Sequence, residues 1–393
     1  MGLFSETCSE RGTRARMRQP PSLRAESFAK RHASWLEPVA TLAAIHAVHG
    51  LAMTLLHGLV PGLPLRAPLA PLPAWLFTGW DSEHYFHLAL RFDRFVWPPL
   101  YPLGLRFLGS LFPQGGLEKA AVLINLVSHG ATVFLAFALV RQHPRLAGVP
   151  GWLLATLLFC FPGHNVFFAA YSESLFLALA LGVCVAWYRE RLLTAGLLCG
   201  LALLVRNMGV YLGAALMLVE GLRWLQAPRT PRAWGRLVRV SAWVPFLVGW
   251  MLVVHFVGRT DAVAATGEWQ AELLRNHVPA GQAPKLWVLR YLMLPGHKEF
   301  LFFWAAVLAG AWSWRRGLRL EAAYVAVFLA SFALYLYRPF PFSRYVSVLY
   351  PVALMVAHAL RRSPPLQALA LTAGLLAATH TQALLFLHRV GEP

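Results

Sequence analysis

The chain alternates long apolar runs with short basic connectors. A run of roughly 20 apolar residues crosses a bilayer as a helix, and residues 38–60 supply the first one. Further runs at about 118–140, 151–167, 171–188, 192–206, 208–224, 240–258, 299–314, 319–337, 344–360 and 366–388 bring the predicted helices to eleven. The connectors test this count. With the N-terminus inside, "RQHPR" at 141, "RERL" at 189, the arginines between 223 and 239, "RRGLR" at 315 and Arg361–Arg362 all fall on the same side. That side is the cytoplasm, where Lys and Arg accumulate. The segment 192–224 is the delicate one, because its two runs of about 15 residues are short for full spans. A single helix there would send the arginines of 223–239 outward, so a hairpin with Arg206 and Asn207 at its outer tip is the expectation.

The expected architecture is an all-α, polytopic integral membrane bundle. Residues 1–34 carry Arg11, Arg14, Arg16, Arg18, Arg24, Lys30 and Arg31 with no short apolar core, and read as a cytoplasmic basic arm rather than a signal peptide. Residues 35–393 form one transmembrane domain with outer loops at 61–117 and 259–298. The location this implies is a multi-pass protein of a bacterial inner membrane, or of the endoplasmic reticulum if the chain is eukaryotic. No internal repeat stands out.

Composition agrees: 58% of residues are apolar and 13% charged, far from a water-soluble domain. The excess of 35 Lys and Arg over 17 Asp and Glu would suggest nucleic acid in a soluble chain, but topology explains it here. Cys8, Cys160, Cys184 and Cys199 show no metal-ligand spacing, and the last three sit in apolar runs as small hydrophobes. Neither a disulfide nor a metal cluster is expected.

The polar residues are unevenly placed. Asp81, His164, Glu173, Arg206, Glu268, Lys298 and Arg344 all map to outer helix ends or outer loops. A carrier more often sets ionisable groups near the bilayer midplane, in broken helices. In "FTGWDSEHYFHLAL", residues 82–96 predict an amphipathic helix lying in the membrane interface. Tyr85, Leu88, Phe92 and Phe95 or Val96 line one face, and His84, His87, Arg91 and Arg94 another. Asp81 stands at its start, where Asp is a favoured cap. The local residues fit a cap and a reactive carboxylate equally well.

Five segments in order carry a resemblance: "GWDSEHY" at 79, "WPPLYPLGLRF" at 97, "FPGHNVFFAAYSESLF" at 161, "LLTAGLLCGLALLVRNMG" at 192 and "FSRYVSVLYP" at 342. From about residue 36 to 360 the chain resembles the PIG-V-like family, the mannosyltransferases that add the second mannose to glycosylphosphatidylinositol, with their bacterial relatives. That family is similar to the wider GT-C glycosyltransferases. The resemblance implies a GT-C helical membrane fold, a polyprenyl-phosphate sugar donor and a catalytic carboxylate in the first outer loop, which corresponds to Asp81. The chain departs from the family pattern at Pro98, where an aromatic is usual, and at His164, where a small residue is common; both departures bear on the acceptor.

Displacing a lipid phosphate from an anomeric carbon needs a carboxylate to take the acceptor's proton and a cation to steady the leaving phosphate. Asp81 supplies the first; Glu83, two positions on and on a different helix face, is the rival base. Arg206 in "VRNMG" and Arg344 in "FSRY" offer donor forks matched to phosphate, and either also fits a topological arginine at a helix end. Glu173 falls in a first helical turn, where the dipole alone favours a carboxylate. His84, Tyr85, His164, Tyr171, Glu173 and Asn207 are the substrate-binding candidates, while His297 reads as interfacial.

The expectation is an inverting mannosyltransferase without cofactor or resident metal. Its partners are a polyprenyl-phosphate sugar, a lipid-linked or glycan acceptor and membrane lipids, with no nucleic acid. No Gly-rich phosphate loop or doubly wound domain offers a nucleotide a place to dock. A transferase of another polyprenyl-phosphate sugar, or a lipid or sugar-lipid transporter or flippase, are the competing readings.

Overall fold

A computed structural model describes residues 35–52, 81–91, 97–113, 115–160, 167–226, 231–256, 298–334, 342–364, 367 and 371–375. The expected arm at 1–34, residues 61–80, 92–96 and 114 of the first expected outer loop, residues 259–297 of the second, and most of the run at 366–388 lie outside the described residues. The rest is helical, with no β-strand among the described residues. In chain order the helices are α1 (35–52), α2 (Asp81–Arg91), α3 (Leu100–Gly109), α4 (Gly116–Gln142), α5 (Gly151–Cys160), α6 (Glu173–Tyr188), α7 (Leu192–Val205), α8 (Gly209–Gln226), α9 (Pro231–Val240), α10 (Val244–Phe256), α11 (Lys298–Arg315), α12 (Arg319–Leu334), α13 (Phe342–Ser347) and α14 (Tyr350–Leu360). Among the described residues, two stretches are long and apolar enough to cross a membrane: Gly116–Gln142, and Pro231–Phe256, in which a single 3₁₀ turn joins α9 to α10.

Packing closes a ring. α4 lies against α6, α6 against α7, α7 against α8, α8 against α12, α12 against α11, α11 against α14, α14 against α5, and α5 back against α4. One apolar core runs through it, with Phe176, Leu177, Leu181 and Cys184 of α6 fully enclosed. The hairpin expected at 192–224 is present, with Arg206, Asn207 and Met208 at its turn. Glycine permits the close approach after that turn: a Cβ on Gly209 would sit 2.7 Å from the Ala202 carbonyl carbon and closer still to the Leu203 backbone.

Local chemistry explains where the structure differs from the expected boundaries. Of the helix expected at 151–167, Gly151–Cys160 is helical and residues 161–166 lie outside the described residues. The one expected at 344–360 is split at Val348–Leu349, ahead of Pro351 in the first turn of α14. The segment read as the connector before 240 is instead helical from Pro231, and Arg232, Arg236 and Arg239 recur along one side of it. α3 forms where the sequence suggested only a motif. It buries Tyr101 and Leu105 against α2 and α4.

Candidate active site

Two of the charged residues expected at the outer helix ends, Arg206 and Arg344, converge on a third, Glu173. This residue opens α6 and is fully buried. Arg206, the residue that ends α7, brings Nη1 to 2.7 Å from Glu173 Oε2. The approach lacks hydrogen-bond alignment, so it is a Coulombic contact rather than a directed bond. Arg344, on the short helix α13, donates from Nε to Glu173 Oε1. Its guanidinium also stacks 4.6 Å above the Tyr171 ring, a cation–π contact. Two arginines 138 residues apart thus share one carboxylate, and the cluster keeps a surplus positive charge.

A hydroxyl chain ties this cluster to α2. Arg206 Nη1 donates to Ser172 Oγ at 3.1 Å, and Ser172 Oγ lies 2.8 Å from the Tyr85 hydroxyl. Tyr85 belongs to α2, the helix that Asp81 opens. Tyr101 meets Tyr85 edge to face with ring centres 5.0 Å apart, and its buried hydroxyl has no hydrogen-bond partner among the described residues. Burial first, then the neighbouring Tyr85 and Glu173, push the Tyr101 phenol well above its ordinary pKa. It therefore stays a neutral donor at any physiological pH. Arg206 Nε is likewise buried without a hydrogen-bond partner among the described residues. Such orphaned donors are costly, so each calls for a partner, whether a water or a ligand.

The apolar face of α2 was expected to meet lipid, and here it meets protein. Tyr85, Leu88 and Ala89 are buried, with Tyr85 and Ala89 packed among Tyr101, Leu105, Ala120 and Ala121. α3, which the sequence did not announce, provides much of that cover. His84 stacks on Trp97 at 4.7 Å, and Glu83 points to the exposed side.

Of the expected site residues, Tyr85, Tyr171, Glu173, Arg206 and Arg344 come together. Asn207 is exposed at the hairpin turn. The side chain of Asp81, and all of His164, Glu268 and His297, lie outside the described residues, as does the Lys298 side chain. Sequence reasoning missed Ser172 and Tyr101. Both stood within quoted motifs, but neither carries a charge to draw notice. No group of three His, Cys, Asp or Glu fit to hold a metal ion occurs among the described residues.

Comparison with protein-family models finds no match, and neither does comparison with curated proteins. One solved structure is similar. ArnT from Cupriavidus metallidurans, in the apo state, shares 16% identity over 86% of this chain, with a TM-score of 0.49. The chain spans 61% of that protein's length. At this distance the likeness carries no reading of activity.

Proposed function

We propose that the chain is a polytopic membrane glycosyltransferase that moves mannose from a polyprenyl monophosphate to a lipid-linked or glycan acceptor on the extracytoplasmic face. The observation that carries the reading is the pair of arginines held on one buried carboxylate. A surplus charge of one, with an unused Arg206 Nε beside it, suits a singly bridged phosphate better than a diphosphate. Glu173 fixes both forks in place before the ligand arrives, which spares the cost of ordering two long side chains.

In this reading the acceptor hydroxyl loses its proton to Asp81 as its oxygen attacks the anomeric carbon from the face opposite the phosphate. The bond from that carbon to the phosphate oxygen breaks, configuration inverts, and the departing polyprenyl phosphate keeps the electron pair beside Arg206 and Arg344. Ser172 and Tyr85 transmit the position of α6 to α2, and so to the backbone that presents Asp81. The "GWDSEHY" to "FSRYVSVLYP" series supports mannose as the sugar through the PIG-V-like resemblance.

The test is purified protein supplied with polyprenyl-phosphate mannose or with GDP-mannose, each with and without EDTA. Product is expected from the lipid donor alone, undiminished by EDTA. Arg206→Ala and Arg344→Ala are expected to weaken donor binding by about tenfold or more while acceptor binding holds. Turnover with GDP-mannose alone would overturn the donor, and transport of intact sugar-lipid without product would make the protein a flippase.

A further inference from the structure

At the other end of α6, roughly 21 Å from Glu173 by helical rise, lies a cavity of about 370 Å³. That volume falls in the usual range of ligand pockets, roughly 300–1,000 Å³. Its walls come from the 143–145 turn, Trp187 and Tyr188 at the end of α6, Arg223 of α8 and the 317–319 turn. Three arginines line it against one carboxylate, Glu190, which is already paired with Arg236. Arg223 is paired with Glu220, 2.7 Å away, and stacks 4.6 Å over Trp187.

The other two arginines are not neutralised. Arg145 spends its guanidinium on the Gly317 carbonyl, a neutral acceptor, and Arg319 has no acidic partner among the described residues. Arg319 is also the first residue of α12, whose N-terminal amides and dipole favour negative charge. The turn that brings Arg319 opposite Arg145 depends on Gly317 at φ +64°, a conformation side chains resist. His143 accepts from the Arg145 amide through Nδ1, and burial with the nearby Arg145 charge lowers its pKa, so the neutral ring presents Nε2–H.

We propose that this cavity binds a phosphate-bearing anion between Arg145 and Arg319, at a site separate from the Glu173 cluster. Either the headgroup of an anionic phospholipid or a soluble phosphate has the required chemistry. The basic run "RQHPR" and "RRGLR" places the cavity at the cytoplasmic leaflet, where anionic headgroups concentrate.

The experiment uses the full chain reconstituted in nanodiscs of phosphatidylglycerol and phosphatidylcholine, released into detergent and weighed by native mass spectrometry, with thermal unfolding followed in parallel against added inorganic phosphate. The wild type is expected to retain phosphatidylglycerol, and Arg145→Gln/Arg319→Gln about tenfold less, the loss typical of one charged hydrogen bond. Retention of phosphatidylglycerol identifies a headgroup site; a phosphate-induced rise in unfolding temperature without lipid retention, absent in the variant, identifies a soluble anion. Arg319→Gln alone breaks no ion pair among the described residues and reports if the double variant fails to fold, and Arg319→Lys is expected to restore part of the binding. Wild type and variants with equal lipid retention and equal phosphate response overturn the proposal. Sugar transfer is not a readout here, so this proposal and the glycosyltransferase reading fail independently.

Discussion

Arg206 and Arg344 share the Glu173 carboxylate, one on each oxygen. Neither arginine is left to solvent: their side chains are 10% and 16% exposed, and Glu173 not at all. Removing one member of a buried ionic group costs about 3–5 kcal/mol, because the remaining charges lose their compensation. Glu173→Gln is therefore expected to lower the unfolding temperature sharply. Added phosphate is expected to restore part of the loss in this variant, since the anion can stand where the carboxylate stood. A variant as stable as the wild type in a detergent melting experiment would show that the two arginines do not depend on Glu173.

Asp81 and Glu83 are separated by their roles in the proposed reaction. Asp81→Asn is expected to lower turnover at least about a hundredfold, the scale of a lost general base, with the unfolding temperature unchanged. Glu83, exposed on α2, is expected to tolerate Gln with little effect on rate. Single-turnover assays on both variants check this, and the opposite ranking would move the base to Glu83. A destabilised Asp81→Asn with full activity per folded molecule would make Asp81 a helix cap.

Two glycines of α8 give a contrast in packing. Gly209→Ala drives a Cβ into the Ala202–Leu203 backbone, whereas Gly221 has open space within 4 Å. The first substitution is expected to reduce the yield of folded protein and open the hairpin. The second is expected to raise stability by up to about 1 kcal/mol, through helix propensity. Melting curves of the two variants, run side by side, check the difference.

The cluster Glu190, Arg236, Glu220 and Arg223 joins α8 to α9 at the end of the bundle away from Glu173. Arg236 holds both oxygens of Glu220, with Nε at 2.8 Å and Nη2 at 3.1 Å. A cysteine introduced near residue 70 is expected to react with a membrane-impermeant reagent from outside, and one near 230 only after permeabilisation. The reverse labelling pattern would invert the topology.

The sequence disclosed the site's ingredients more fully than their connections. Periodicity and basic connectors located most helices to within a few residues, because apolar length and Arg placement are local properties. Glu173, Arg206 and Arg344 stood out as charges in an apolar chain. Their mutual contact did not, because a sequence separation of 171 between Glu173 and Arg344 leaves no local trace of pairing. α3 lies in "WPPLYPLGLRF", which reads only as a motif in the sequence; its Pro102 sits in the first turn, where the missing amide hydrogen is tolerated. Cys184 was read as a small hydrophobe, and its thiol in fact donates to Glu321 Oε1 at 3.1 Å, alongside the Tyr188 hydroxyl at 2.7 Å. A buried carboxylate satisfied by neutral donors has no signature in charge patterning.

α7 has 14 residues and α14 has 11, rises of about 21 Å and 16 Å. The hydrocarbon of a bilayer is about 30 Å thick, so helices this short draw the surrounding lipid inward or leave their polar ends below the headgroups. Arg206 caps one of them. In the proposed membrane setting the Glu173 cluster therefore lies beneath the level of the surrounding phosphates, and a lipid-linked phosphate reaches it by sinking rather than by leaving the membrane. Bilayer thickness becomes part of the site, because acyl-chain length sets how far the donor must descend.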